Sequence, residues 1–317
     1  MKQKYPEQSS AVALVLSDGS RWSFIGGDEI GSAIVSRLAE VMQLRFCRCS
    51  GNRLVVLKDS RQGLQTHYEE HSHIQASNNS PDKMNYYSNQ KIASLANNSR
   101  KALPSELNKI YICPVNSAAN NDMPALQLMQ AARIIGQYSE SRGGLLLHGA
   151  LVAKEGIGVI LAGPGDGGKT TACLRLPEPW QSLCDDTTLV VRDRHDAYWG
   201  HPWPTWSRFR FSGNGGTWDV QQAVPLKSIF FLDKSSQDQV KPVGVGESVC
   251  ALVNLTEQVW GQMQHRFGKD KIRALRLQRF DNICSLVKTV PCYHLCLSRE
   301  GSFWEEIERV LDQVAYE

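Results

Sequence analysis

No run of about 18 apolar residues occurs anywhere in the chain, so no membrane-spanning helix is expected. The opening Met1-Lys2-Gln3-Lys4-Tyr5-Pro6 lacks the apolar core of a signal peptide. No C-x-x-C is present, and the spacings Cys47/Cys49 and Cys292/Cys296 are unlike those of common zinc sites. An odd total of nine cysteines without a secretory signal fits reduced thiols, so a cytoplasmic location is expected. Charge of one sign is scarce too. The 35 Lys and Arg against 32 Asp and Glu leave a net charge of +3, too small to demand nucleic acid or a membrane as partner. There is no internal repeat. What these absences leave is a globular protein whose 317 residues can hold two domains and bury a large core.

The most informative stretch is Gly163-Pro164-Gly165-Asp166-Gly167-Gly168-Lys169-Thr170, a complete G-x-x-x-x-G-K-[ST]. Residues 158–162 before it are apolar and partly β-branched, as in a buried strand. Residues 171–176 after it can start a helix, and Pro177 stops or turns it. Strand, glycine loop and helix together are the context of a phosphate-binding loop. Backbone N–H groups of such a loop converge on phosphate oxygens, and the following helix start favours negative charge. Lys169 is then the residue that reaches the β- and γ-phosphates, and Thr170 offers a hydroxyl to Mg²⁺, with Thr171 next to it. A lysine at a helix start is hard to explain as part of a plain turn, because the helix end repels it. Asp166 is unexpected, since an acid beside phosphate is unfavourable unless it faces away or meets Mg²⁺.

After fourteen intervening residues come Asp185 and Asp186, at the start of a strand predicted over residues 187–191. Neighbouring strand residues point to opposite faces, so the two carboxylates are expected to have separate jobs. One can hold Mg²⁺, and the other can accept the proton of an attacking hydroxyl. The residues alone leave open which does which.

The arrangement of His148-Gly149 before a strand pair, the run from Gly156 to Gly163, the glycine loop and the Asp185-Asp186 pair resembles the catalytic domain of bacterial HPr kinase/phosphorylase. The segments Leu145-Leu146-Leu147-His148-Gly149-Ala150, Ser182-Leu183-Cys184-Asp185-Asp186-Thr187-Thr188, Gly200-His201-Pro202-Trp203-Pro204-Thr205-Trp206-Ser207 and Val224-Pro225-Leu226-Lys227-Ser228 look more specific. They resemble the HPr-kinase-related proteins of peptide-modification cassettes, closest to the SynChlorMet cassette protein C type. That resemblance implies a kinase with ATP and Mg²⁺ as cofactors. It makes Asp185 the proton acceptor and Asp186 the metal-side residue, with His148 near the pair to orient a carboxylate or the acceptor. Arg208, after the Trp-Pro-Thr-Trp segment, is a candidate for stabilising phosphoryl charge, or else a surface arginine. The loop departs from the family at Pro164-Gly165-Asp166, where Asp-Ser-Gly is usual, and at Thr170, where Ser is usual. The second signature that supports phosphorolysis is missing, so the resemblance extends neither to that reaction nor to HPr as the substrate.

Other constellations carry less. His67, His71 and His73 can share a helix face, but no further ligand is near and a Ser/Asn loop follows, so a solvated polar stretch is expected. Three tryptophans in residues 199–206 can form a substrate platform, although aromatics more often pack cores.

The expected fold class is α/β with α+β elements: an HPr-kinase-like P-loop kinase domain with a mixed sheet, behind a small α+β N-terminal module. Residues 1–60 form that module, 61–104 a polar linker or mobile loop rich in Ser, Asn and Gln, and 105–317 the catalytic domain. Strands are predicted over 11–16 and 22–25, hinged at Asp18-Gly19, and over 44–49, 54–57, 110–115, 228–232 and 292–297. Helices are predicted over 30–42, 123–138 and 303–314, with one or two helices carrying a basic face over 259–280.

The expected function is an ATP-dependent kinase acting on a Ser or Thr hydroxyl of a peptide or small protein, in particular a ribosomally made precursor peptide. Other peptide-modifying enzymes are candidate partners, and homo-oligomerisation stays open. A nucleotide-gated peptide-binding scaffold and a kinase for a small serine-like molecule are the alternatives. The set Lys169, Thr170, Asp185 and Asp186 favours catalysis, because a scaffold needs no acceptor base.

Overall fold

A computed structural model describes residues 12–46, 51–58, 110–115, 123–165, 167–205, 215–261 and 268–314. They form a mixed α/β structure with two mixed sheets and six helices.

The first sheet begins with β1 (Val12–Val15) and β2 (Arg21–Gly26), an antiparallel pair whose turn places Gly19 at φ +80, where a side chain is disfavoured. Asp28 caps α1 (Glu29–Val41), its carboxylate accepting from the Gly31 N–H at 2.7 Å. The helix turns Ile34, Val35, Leu38 and Val41 inward, as the 30–42 periodicity requires. The strand predicted over 44–49 is described only as the short β3 (Arg45–Phe46), which pairs with β1. β4 (Asn52–Lys58) and β5 (Ile110–Val115) run parallel to β2, giving the order β3-β1-β2-β4-β5. The sequence grouped 110–115 with the residues that follow it; its pairing with β4 carries it into this sheet.

α2 (Met123–Glu140) packs against β5 and against β6 (Leu145–Lys154) of the second sheet. Trp22 of β2, Tyr111 of β5 and Tyr138 of α2 cluster with ring centroids 5.0, 5.1 and 6.1 Å apart; Tyr138 meets both other rings edge-to-face and ties the helix to the first sheet.

The second sheet has eight strands. β6 and β7 (Ile157–Ala162) form an antiparallel pair, and α3 (Lys169–Arg175) follows β7. Next come β8 (Gln181–Cys184), β9 (Thr187–Arg192) and β10 (Tyr198–Trp203). β11 (Val224–Lys234) and β12 (Gln239–Pro242) precede α4 (Val245–Trp260) and α5 (Lys269–Leu286); β13 (Cys292–Leu297) and α6 (Phe303–Val314) complete the chain. The strand order is β10-β9-β6-β7-β11-β13-β12, with β8 beside β6 and β10 also touching β11. Among the described strands of this sheet, β7, β11 and β13 are the ones that run parallel to each other.

Of the one or two helices expected over 259–280 there are two, with other limits. α4 ends at Trp260, and α5 begins after Gly268 and carries the basic residues. β8, β10 and β12 were not predicted. β12 is short and largely exposed and β8 buries only Cys184, so neither has apolar alternation to betray it. β10 carries Pro202 inside a Trp-rich run, which reads as a loop.

Alternation sorts the second sheet's side chains into two cores. Leu145, Leu147, Leu151, Ile160, Ile229 and Phe231 face the core shared with α2, α4 and the first sheet. Ala150, Val152, Val159, Leu161, Phe230 and Leu232 face the core under α3 and α6, with Ala172, Phe303 and Ile307. His148 and the glycine loop therefore hang on strands fixed on both faces. No helix among the described residues is long and apolar enough to cross a membrane.

Candidate functional site

The strand, glycine loop and helix expected around 163–170 are present as β7, the loop and α3. Within the loop the Gly167 N–H donates to Pro164 O at 3.1 Å, closing a turn. Gly168, at φ +94, lets the chain leave that turn and enter α3. The backbone reversal tucks the Lys169 side chain back under its own loop, where it is 6% exposed. Its ammonium donates to Gly163 O and to Pro164 O, both at 2.9 Å, and meets His148 Nε2 at 3.1 Å.

His148 lies on β6 next to Gly149. A Cβ at position 149 would lie 2.7 Å from Ile160 Cγ2, so only glycine lets β6 sit this close to β7. The other ring nitrogen, Nδ1, lies 3.4 Å from Asp186 Oδ1. Burial holds the imidazole below its ordinary pKa; Asp186 pulls it upward, and the Lys169 ammonium pushes it down again.

The two aspartates diverge at the start of β9, as strand geometry requires. Asp186 faces His148 with one oxygen and accepts from Thr187 Oγ1 at 3.0 Å with the other. Asp185 faces the loop. Its Oδ2 accepts from Thr170 Oγ1 at 3.4 Å and its Oδ1 from Thr205 Oγ1 at 3.2 Å. Thr188 Oγ1, fully buried, donates to Gly149 O at 2.9 Å and locks β9 onto β6. The network thus runs from Lys169 through His148 to Asp186, with a second branch through Thr170, Asp185 and Thr205.

Thr170 and Thr171 are exposed on α3, and Pro164 and Gly165 are exposed in the loop. Asp166 and Arg208 lie outside the described residues, as do His67, His71 and His73. Thr205 and Thr187 were missed by sequence reasoning. Hydroxyl partners carry no motif, and Thr205 is reached only through the β9–β10 turnback. The platform reading of the Trp-rich stretch gives way to packing at Trp203, which is 1% exposed.

The described cysteines are all unpaired thiols. Burial pushes the Cys173 thiol on α3 up to about 11, so it is not a thiolate nucleophile near neutrality. A cavity of about 700 Å³ lies between α4 and α5, lined by Lys269, Arg273 and Arg276 over Leu277 and Phe280; it shares no residue with the network above.

Thr170 and Asp185 are the described oxygen donors that could hold Mg²⁺ beside a phosphate. Among the described residues no group of three or more His, Cys, Asp or Glu gathers as a metal site. Mg²⁺ favours one or two carboxylates completed by phosphate oxygens and waters, and the Thr170–Asp185 pair offers such hard oxygen ligands.

The sequence model of the SynChlorMet cassette protein ScmC family matches residues 111–312, well over half of the 317 residues, and the chain belongs to that family. The match takes in every element of the site. No curated protein matches the chain.

Proposed function

We propose, taking membership of the SynChlorMet cassette protein ScmC family as the premise, that the chain is an ATP-dependent kinase. Its acceptor is a Ser or Thr hydroxyl of a peptide or small protein, with a ribosomally made precursor peptide as the substrate class. Association with other proteins of the same cassette belongs to this reading, because the family is named for a cassette.

One observation carries the proposal. The loop hydroxyl of Thr170 meets the carboxylate of Asp185 at 3.4 Å across 15 residues of sequence, beside a buried lysine aimed at the same loop. Phosphoryl transfer asks for a lysine at the phosphates, a hydroxyl and carboxylate at the metal, and a group to take the acceptor's proton. The first three needs have residues here: Lys169, Thr170 and Asp185. Mg²⁺, when bound, supplies charge neutralisation of the phosphates. Thr205 orients Asp185 from behind. The contacts support exchanging the roles that resemblance implied for the two aspartates. Asp185 is the one beside Thr170 of the loop, whereas Asp186 is turned to His148 and Thr187.

The test is incubation of the protein with γ-labelled ATP, Mg²⁺ and the peptide encoded beside its gene. Label on a peptide hydroxyl supports the kinase. Tight Mg-ATP binding with no label on peptide, protein or free serine would remove it in favour of a nucleotide-gated scaffold.

A further inference from the structure

A lysine ammonium has three protons and no lone pair, so it only donates. His148 Nε2, at 3.1 Å from Lys169 Nζ, must therefore accept, and carries a lone pair rather than a hydrogen. The ring's hydrogen is then on Nδ1, which faces Asp186 Oδ1 at 3.4 Å. Asp186 is itself pinned by Thr187 Oγ1 at 3.0 Å. This is the orientation of a base held by a carboxylate, with its basic nitrogen turned toward the glycine loop. His148 is 17% exposed and sits on a strand buried on both faces, so the ring has little freedom to turn away.

We infer that His148 Nε2 is the proton acceptor for the phosphorylated hydroxyl, that Asp186 is its positioning residue, and that Lys169 masks it until nucleotide arrives. The inference rests on the kinase reading. Three of the lysine's bonds, to Gly163 O, Pro164 O and His148 Nε2, match its three ammonium protons. A phosphate that binds Lys169 competes with these partners for its protons. The histidine contact is the longest of the three. Its loss bares the Nε2 lone pair at the same time as the phosphate is bound, so the base becomes available only when there is a phosphoryl group to transfer. Burial lowers the proton affinity of His148, Asp186 pulls it up and the Lys169 ammonium lowers it again.

The step balances as follows. The acceptor's O–H bond breaks and its proton goes to His148 Nε2. The oxygen forms a bond to the γ-phosphorus of ATP, and the bond from that phosphorus to the bridging oxygen breaks, with ADP as the leaving group. The imidazolium's Nδ1–H is stabilised by the Asp186 carboxylate, and the proton is afterwards lost to solvent.

Nitrogen-15 NMR of the full-length protein labelled at histidine tests the inference without turnover, with the His148 signals assigned by their loss in His148→Gln. The expected result is the Nδ1–H tautomer at neutral pH, with that preference weakened in Asp186→Asn. An Nε2–H tautomer overturns the role of His148 and leaves the kinase reading standing. In parallel, His148→Gln should lose about 10²–10⁴-fold in turnover with little change in Mg-ATP affinity. Wild-type turnover in that variant also overturns the role. A wild-type protein that transfers no phosphate to any hydroxyl, yet shows the expected tautomer, overturns the kinase reading and the proton-acceptor role with it.

Discussion

Arg279→Met should destabilise the protein severely, and in a pH-dependent way. Arg279 on α5 is 3% exposed and Glu140 at the end of α2 is 1% exposed; Arg279 Nε donates to Glu140 Oε2 at 3.0 Å. Trp260 Nε1 donates to the other carboxylate oxygen at 2.6 Å, and the guanidinium lies over the Trp260 ring, 4.5 Å from its centroid. Asn282 Nδ2 ties Glu140 O and Gly144 O together, which fixes the chain where it enters β6, four residues before His148. Removing one partner of a buried ion pair leaves an uncompensated charge and costs about 3–5 kcal/mol. Burial already pushes the Glu140 carboxyl up to about 7 against the pull of Arg279. Without that pull it rises further, so the folded variant takes up a proton that the unfolded chain, with an ordinary carboxyl, does not. A raised folded pKa on an acid gives stability that falls as pH rises, at up to about 1.4 kcal/mol per unit. Urea unfolding of Arg279→Met should therefore show the full loss at pH 8 and partial recovery at pH 6. The double variant Arg279→Met/Glu140→Gln should regain most of the loss and show no such slope. Wild-type stability in the single variant, or a loss independent of pH, would refute the reasoning.

Further outcomes follow from the same contacts. Gly149→Ala forces a Cβ within 2.7 Å of Ile160 Cγ2, and overpacking of this kind costs about 1–3 kcal/mol in thermal or urea unfolding. His201 is buried as a neutral ring that accepts from the Ser17 N–H at 3.2 Å and bonds Val220 O at 2.7 Å, and burial lowers its pKa. The unfolded chain then binds the proton first, so stability is full above about 6.5 and falls as pH drops below it; His201→Gln should flatten that acid slope. Asp185→Asn should weaken Mg-ATP binding and shift the Mg²⁺ dependence measured by calorimetry, while Asp186→Asn should leave both nearly unchanged.

The local elements were legible wherever one physical signal ruled. Ile110–Val115, Cys292–Leu297 and Phe303–Val314 have the limits their periodicity implies. The glycine loop announced its flanking strand and helix, because each of its residues answers to a backbone or charge requirement. Partners remote in sequence were not legible. Nothing in the spacing said that 110–115 would pair with β4, nor that α4 would end at Trp260 and α5 begin at Lys269. The candidate site divides in the same way. Lys169, Thr170 and the Asp pair carry a motif, whereas Thr205 and Thr187 are visible only once β9 and β10 are paired. The orientation of His148 needs both of its neighbours in place, and no single-residue signal encodes it.

Transfer of the γ-phosphoryl group is the most direct test of the central claim. Wild-type protein and Lys169→Met would be incubated with γ-labelled ATP, Mg²⁺ and the cassette peptide, and the peptide's hydroxyls mapped by mass spectrometry. The account predicts a phosphorylated Ser or Thr with the wild type, dependent on Mg²⁺, and none with Lys169→Met although that variant remains folded. An unmodified peptide with the wild type, or equal modification by both proteins, would contradict it.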